Sequence, residues 1–209
     1  DVSRETVERL EFYEQLLIKW QKVQNLVAPN SLGEIWHRHF ADSAQLLPYL
    51  FTDNEREKVP GDSKTIVDLG SGAGFPGLVL AILLMERPGF QVHLVEANAR
   101  KCAFLKDVTR QTGVHVEIHN CRIEVFAIES TIPIIDVVTA RALKPLDQLV
   151  SLGQFAFETG ATGLFLKGKT ATDEIEAANK GWSFKTECFE SQTDPLGRIV
   201  RIFDVKPRL

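Results

Sequence analysis

The chain has 209 residues, of which 44% are hydrophobic and 25% are charged. This composition is typical of a globular protein with one domain and about 50 residues more, and it excludes disordered and fibrous proteins. The 28 acidic and 24 basic side chains give a net charge of -4. That charge disfavours bulk attraction to nucleic acid or to an anionic membrane.

The cysteines and the apolar segments indicate the compartment. Cys102, Cys121 and Cys188 are far apart and form no C-x-x-C pair, which argues against a disulfide framework or a zinc site. The start of the chain is charged, unlike a signal peptide, and the longest apolar run, residues 78–85, is too short to cross a membrane. We therefore expect a soluble, monomeric, cytoplasmic protein that does not bind membranes.

Residues 1–60 are predicted to form a helical extension. Apolar side chains recur three or four residues apart between Val7 and Gln24, after a possible Ser3 cap, and this spacing predicts an amphipathic helix. The capping-box pattern that begins at Ser31 predicts a second helix, which ends near residue 49. Residues 52–64 are rich in charge and contain Pro-Gly, a composition typical of a connector.

Residues 61–209 are predicted to form a Rossmann-like α/β domain, because short apolar runs alternate with helical stretches. Strands are predicted at residues 65–69, 91–96, 114–119, 134–140 and 163–167. Helices are predicted at residues 75–85, 98–112, 145–158 and 172–181. The pattern of residues 183–190 and 198–205 predicts an antiparallel hairpin at one edge of a mostly parallel sheet.

The most specific motif is the glycine segment of residues 65–77, where a predicted strand runs through a glycine turn into a helix. Glycines such as Gly70 and Gly72 let the backbone approach a ligand closely, but the spacing alone also fits a dinucleotide-binding loop. Asp68 would place a carboxylate at the strand end, which suits a cationic amino-acid group and repels a pyrophosphate. S-adenosylmethionine is therefore favoured as cofactor, and an NAD-dependent oxidoreductase is the alternative.

Three further acidic and apolar residues follow the next two predicted strands. Glu96 closes the second strand, where a carboxylate can accept hydrogen bonds from ribose hydroxyls. Ile123 and Glu124 follow the third strand, at the edge where ligands of open α/β sheets bind. Ile123 can pack on an adenine face with Glu124 beside it, or the segment can be an ordinary turn with Ile123 in the core.

The fourth predicted strand ends at Arg141, where a methyl acceptor would approach. Neither the cysteine nucleophile of cytosine-C5 transfer nor the Asn/Asp-Pro-Pro-aromatic segment of amine transfer is present. A guanidinium can bind a phosphate, a guanine edge or the cofactor carboxylate, or form a structural ion pair. A small-molecule methyltransferase remains an alternative, since the N-terminal helices could serve as its lid.

Five segments taken in order resemble the bacterial small-subunit ribosomal RNA guanine-N7 methyltransferases, also called the glucose-inhibited division protein B family. The segments are residues 25–28, 38–43, 68–77, 140–142 and 166–168. Arg-His-x-x-Asp-Ser from Arg38, together with Arg-Ala and Lys-Gly downstream, is the more specific part. Ala73 is a departure, because many members carry proline there.

This resemblance implies transfer of a methyl group from S-adenosylmethionine to N7 of a guanine in 16S ribosomal RNA, free or within the small ribosomal subunit. It implies that Gly70 and Phe75 line the cofactor, that Ile123 and Glu124 flank its adenine, and that Arg141 lies where cofactor and acceptor meet. On the acceptor side it implies Arg38, His39 and Lys167.

Guanine N7 carries a lone pair and no proton, so we expect positioning by Arg141, Arg38 and Lys167 rather than an obligatory base. We expect no metal, because His115 and His119 on one predicted strand are about 13 Å apart. Basic residues on several segments are predicted to converge on one crevice, which would offset the overall negative charge locally. They are Arg38, Arg141, Lys144, Lys167 and Lys169.

Overall fold

A computed structural model describes residues 2–50 and 64–208. Their strands form one seven-stranded sheet with the order β3-β2-β1-β4-β5-β7-β6. Strand β7 is antiparallel to β5 and β6, and the other neighbours are parallel. The strands are β1 (Lys64–Leu69), β2 (Phe90–Val95), β3 (Glu117–His119), β4 (Val137–Arg141), β5 (Thr162–Lys167), β6 (Trp182–Glu190) and β7 (Arg198–Pro207). This confirms the Rossmann-like α/β fold and its C-terminal hairpin.

The helices cover both faces of this sheet and follow the predicted pattern in most places. In α1 the Ser3 hydroxyl accepts a hydrogen bond from the Thr6 amide at 3.2 Å, as the cap pattern predicts. Helix α4 begins after Asn98, whose side chain accepts from two amides of the first turn, and ends at Gly113 in the left-handed conformation. The helices are α1 (Arg4–Gln21), α2 (Asp42–Ala44), α3 (Gly77–Leu84), α4 (Ala99–Thr112), α5 (Ile123–Glu129), α6 (Leu146–Leu152), α7 (Gln154–Phe157) and α8 (Ala171–Ala178).

The second predicted helix is wrong as a single element. A 3-10 helix (Pro29–Glu34), a π-helix (Trp36–Ala41), the short α2 and another 3-10 helix (Leu47–Leu50) follow one another. Ser31 does not cap a helix, because its hydroxyl donates to the Ala28 carbonyl at 2.7 Å. The wider π turn buries the adjacent side chains of His39 and Phe40. The apolar spacing of an α-helix does not predict the burial of two adjacent residues.

Other differences concern element ends. The predicted helix 145–158 divides at Gly153, where a Cβ would lie 2.8 Å from the Phe157 ring. Strand β3 has three residues, because its pairing with β2 begins at the register pair His93 and Glu117. The short helix α5 was not predicted. The connector of residues 52–64 lies almost entirely outside the described residues.

The N-terminal helix shares its core with the sheet domain. Leu10, Tyr13 and Leu17 of α1 belong to the same buried cluster as Leu78 of α3 and Phe104 of α4. The division into residues 1–60 and 61–209 stays a prediction, since its boundary lies outside the described residues. None of the described helices is long and apolar enough to cross a lipid bilayer.

Candidate active site

The glycine segment turns sharply at the carboxyl end of β1. Gly70, Gly72 and Gly74 have φ angles of 64°, 62° and 94°, a left-handed conformation that glycine adopts without strain. A Cβ at Gly74 would collide with the Tyr13 hydroxyl, and that hydroxyl donates to the Ala73 carbonyl. The loop therefore requires glycine both for its backbone and for the close approach of α1.

Asp68 lies beneath this loop and is completely buried. Its two carboxylate oxygens accept from the Thr139 hydroxyl of β4 at 2.8 Å and from the Gly77 amide at 3.1 Å. Burial raises the pKa of Asp68 to about 6. The prediction that this carboxylate meets a cationic ligand group is wrong, because Asp68 joins β1, β4 and the start of α3 instead.

Glu96 is the carboxylate that lies beside the glycine loop and lines a cavity. One of its oxygens accepts from the Gly72 amide at 2.8 Å and the other from the Asn98 amide at 2.7 Å. These two bonds fix the carboxylate between the glycine loop and the start of α4. Each oxygen keeps a further lone pair for another donor.

Two cavities open at this edge of the sheet. The strand-end cavity, of about 430 Å³, lies between the ends of β2 and β4 and the start of α5. The helical-side cavity, of about 460 Å³, lies between the glycine loop and the N-terminal segment. Gly70, Lys101, Arg141 and Ala142 line both, so the two cavities meet at the end of β4.

Most of the predicted site residues line one cavity or the other. Glu96, Ile123 and Glu124 line the strand-end cavity. Arg38, Gly72 and Phe75 line the helical-side cavity. These predicted residues therefore lie around two neighbouring cavities, and their roles stay predictions.

Lys167 is the exception. Its ammonium group is almost buried, 2.8 Å from the Glu174 carboxylate and 2.7 Å from the Lys144 carbonyl, and it lines neither cavity. The structure thus does not bring Lys167 to either cavity, and its role in acceptor contact stays a prediction. The lysine holds the loop after β4 against α8.

Arg141 joins the N-terminal segment to the sheet domain. One terminal nitrogen of the guanidinium, Nη1, donates to the Arg38 carbonyl at 2.9 Å and to Asp42 Oδ2 at 3.1 Å. The other, Nη2, contacts His39 Nδ1 at 2.9 Å. The carbon of the guanidinium lies 4.8 Å from the centre of the Phe75 ring. Arg141 therefore forms the structural ion pair that the sequence allowed, and it also lines both cavities, so that binding of a ligand group stays a prediction.

The contacts of His39 determine which of its nitrogens carries the proton. Arginine can only donate, so His39 Nδ1 accepts and Nε2 carries the hydrogen. Nε2 then donates to the Ser31 hydroxyl at 2.8 Å, and that hydroxyl donates to the Ala28 carbonyl. Burial and the neighbouring Arg141 lower the pKa of His39 to about 4. His39 is thus neutral, with both nitrogens engaged.

The hairpin between β6 and β7 supplies a wall that the sequence did not indicate. Asp42 Oδ1 accepts from the Thr193 hydroxyl at 2.6 Å while Oδ2 holds Arg141. Thr193 and Asp194 therefore line the helical-side cavity. The motif Arg-His-x-x-Asp-Ser contains Asp42, so a signal for this residue was present, whereas nothing local marks Thr193.

Comparisons with known proteins bear on the family and on the fold. A family model described as rRNA small subunit methyltransferase G matches residues 6–195. A protein of Parvibaculum lavamentivorans named Ribosomal RNA small subunit methyltransferase G is 49% identical over 97% of this chain and 84% of its own length. A solved structure from Listeria monocytogenes, described as a class I S-adenosylmethionine-dependent methyltransferase, has a TM-score of 0.61 at 13% identity and covers 96% of this chain and 71% of its own.

The N-terminal domain of human METTL16, solved in complex with SAH, has a TM-score of 0.54 at 12% identity and covers 78% of this chain and 69% of its own. At these identities the two solved structures establish the fold alone.

The variant His39→Gln tests the neutral state of this histidine. Because the pKa of His39 falls from 6.5 to about 4 on folding, the unfolded chain binds the proton first as the pH falls through this window. The wild type should therefore lose up to about 1.4 kcal/mol of unfolding free energy per pH unit that the variant does not lose. Urea unfolding from about pH 7 to about pH 4.5 measures this difference, with exposed His115→Gln as control. A constant difference between wild type and His39→Gln would contradict it.

Proposed function

The chain belongs to the rRNA small subunit methyltransferase G family, and from this membership we propose that it transfers a methyl group from S-adenosylmethionine to N7 of a guanine in 16S ribosomal RNA. The observation that supports this best is the meeting of two cavities at Arg141. One cavity has the residues for a nucleoside, and the other opens toward an acceptor. We further propose that the enzyme acts as a cytoplasmic monomer.

The residues of the strand-end cavity fit S-adenosylmethionine. Glu96 offers free lone pairs to the ribose hydroxyls, and Ile123 offers an apolar surface for adenine with Glu124 at its edge. Gly70 also lines this cavity, and Gly72, whose amide donates to Glu96, leaves space beside the loop, since a Cβ there would meet no atom closer than the Gly70 carbonyl oxygen at 3.7 Å. When bound, S-adenosylmethionine supplies an activated methyl group on a sulfonium sulfur.

The helical-side cavity would hold the guanine. N7 is already a nucleophile, so the enzyme has to orient the base and exclude water rather than remove a proton. The structure supports this, because the nearest imidazole, His39, has both nitrogens bonded and Asp68 is buried under the loop. Arg141, held flat by its four contacts, and Arg38 at the rim would position the base or a phosphate.

The two alternatives from the sequence have less support. Because Asp68 is buried, its charge no longer disfavours the binding of NAD. Membership of a methyltransferase family disfavours an NAD-dependent oxidoreductase instead. A small-molecule acceptor would not account for the same membership. No observation in the described residues favours either alternative.

The function is tested by mapping the methylated base. Small ribosomal subunits and free 16S RNA that lack the modification are incubated with the enzyme and S-adenosylmethionine, then treated with borohydride and aniline, which cleave at N7-methylguanine. We expect one new primer-extension stop at a guanine, absent when S-adenosylhomocysteine replaces the methyl donor. Radioactive methyl groups in the RNA without this cleavage would assign another acceptor atom, and no label in either RNA would overturn the proposal.

Glu96→Gln tests the cofactor role. Glutamine has one acceptor oxygen, so its side-chain NH2 group would face the backbone amide of either Gly72 or Asn98. The charged hydrogen bond that the carboxylate is proposed to form with ribose would also be lost. We expect affinity for S-adenosylhomocysteine to fall about tenfold or more, as for loss of a charge-assisted bond of about 1.5–3 kcal/mol. Calorimetric titration measures it. Glu129→Gln, an exposed residue of α5 outside both cavities, should bind as the wild type does, and equal affinities for all three proteins would contradict the assignment.

Arg141→Lys tests the junction of the cavities. A lysine ammonium cannot contact the Arg38 carbonyl, Asp42 and His39 together, nor lie flat on Phe75. We expect kcat/KM to fall about 10- to 100-fold, which corresponds to about 1.4–2.8 kcal/mol. Steady-state methylation of RNA measures the effect, and thermal melting confirms that the variant is folded. The exposed α4 substitution Arg110→Lys is the control, and unchanged kcat/KM in a folded Arg141→Lys protein would refute the role.

A further inference from the structure

A second group of side chains lies apart from the two cavities, on one face of the β2 and β3 strands. His93 of β2 pairs in register with Glu117 of β3, and His119 follows two residues later on the same face. The expectation of no metal rested on the spacing of His115 and His119 along one predicted strand. In the structure, the parallel pairing of β2 with β3 places His93, rather than His115, beside Glu117 and His119. Two imidazoles and a carboxylate therefore lie together.

The distances within this group match those between the ligands of one metal ion. His93 Nδ1 and His119 Nε2 share a hydrogen bond of 3.0 Å, and Glu117 Oε2 lies 3.5 Å from His93 Nδ1 and 3.9 Å from His119 Nε2. A point equidistant from these three atoms is about 2.0 Å from each, the usual length of a zinc–nitrogen or zinc–carboxylate bond. Two imidazoles and one carboxylate are a donor set that zinc accepts. We propose that His93, Glu117 and His119 bind one zinc ion.

The burial of the three side chains suits such an ion. The side chain of His93 is 4% exposed, whereas that of Glu117 is 71% exposed, so the group is closed on one side and open to solvent on the other. An ion can enter at Glu117 and keep a water as its fourth ligand.

The ion would connect a short edge strand to its neighbour. β3 has three residues and lies at the end of the sheet, with β2 as its strand partner. The His119 carbonyl accepts from the Glu96 amide at 3.0 Å, so this strand supports the backbone of Glu96. A zinc ion between β2 and β3 therefore has a structural role, separate from methyl transfer.

Zinc binding to untagged, chelator-treated protein tests the proposal. The protein carries Cys188→Ser, because Cys188 is an exposed thiol that could bind zinc by itself. Titration against a competing chelator should show one zinc ion per chain, and zinc should raise the melting temperature. Cobalt should give the visible absorption of a tetrahedral site with nitrogen and oxygen ligands.

Variants identify the ligands. Glu117→Gln and His119→Gln should each weaken zinc affinity about tenfold or more and abolish the rise in melting temperature. Glu117 is exposed, so its substitution should leave the fold intact even if the His119 variant does not fold well. His115→Gln, an exposed histidine of the same segment, should bind as the parent does. No bound zinc in the parent, or equal affinity in the parent and Glu117→Gln, would overturn the proposal.

Discussion

The contact of Arg141 with the N-terminal segment is the interaction on which the active site depends. The guanidinium comes from the end of β4 and donates to Asp42, to the Arg38 carbonyl and to His39, which all precede the sheet domain in sequence. The donors of the guanidinium have a fixed planar geometry. These contacts therefore fix both the position of the N-terminal segment and its distance from the end of β4. The two cavities share this residue, so their relative position depends on it.

A second layer of aromatic contacts supports this connection. The Phe75 ring of the glycine loop stacks on Tyr13 at 5.5 Å and on His39 at 4.9 Å. Tyr13 also donates to the Ala73 carbonyl, so α1 contacts the loop through both its ring and its hydroxyl. The first helix thus contributes to the shape of the glycine loop. A change in how α1 packs would alter the loop that is proposed to hold the cofactor.

The sequence predicted the helices and strands well where a local pattern was enough to identify them. Short apolar runs identify β1 and β2, and the glycine pattern identifies the turn after β1. It failed where the outcome depended on a partner distant in sequence. From the sequence, Asp68 is predicted to contact a ligand. In the structure it accepts a hydrogen bond from Thr139, which lies 71 residues later. In the same way, Lys167 is predicted to contact the acceptor, whereas in the structure its ammonium group donates to the Lys144 carbonyl, 23 residues earlier.

The pairing of charges changes the interpretation of the net charge of -4. Three of the five basic residues that the sequence placed around the crevice have carboxylate partners, namely Arg38 with Glu34, Arg141 with Asp42 and Lys167 with Glu174. Each partner cancels part of the field that an RNA phosphate would experience. Counterion release by so few uncompensated charges cannot supply tight binding to arbitrary RNA. For the proposed ribosomal RNA substrate, charge alone therefore does not account for recognition, and the shape of the cavity whose walls Asp42 and Thr193 hold in place has to contribute.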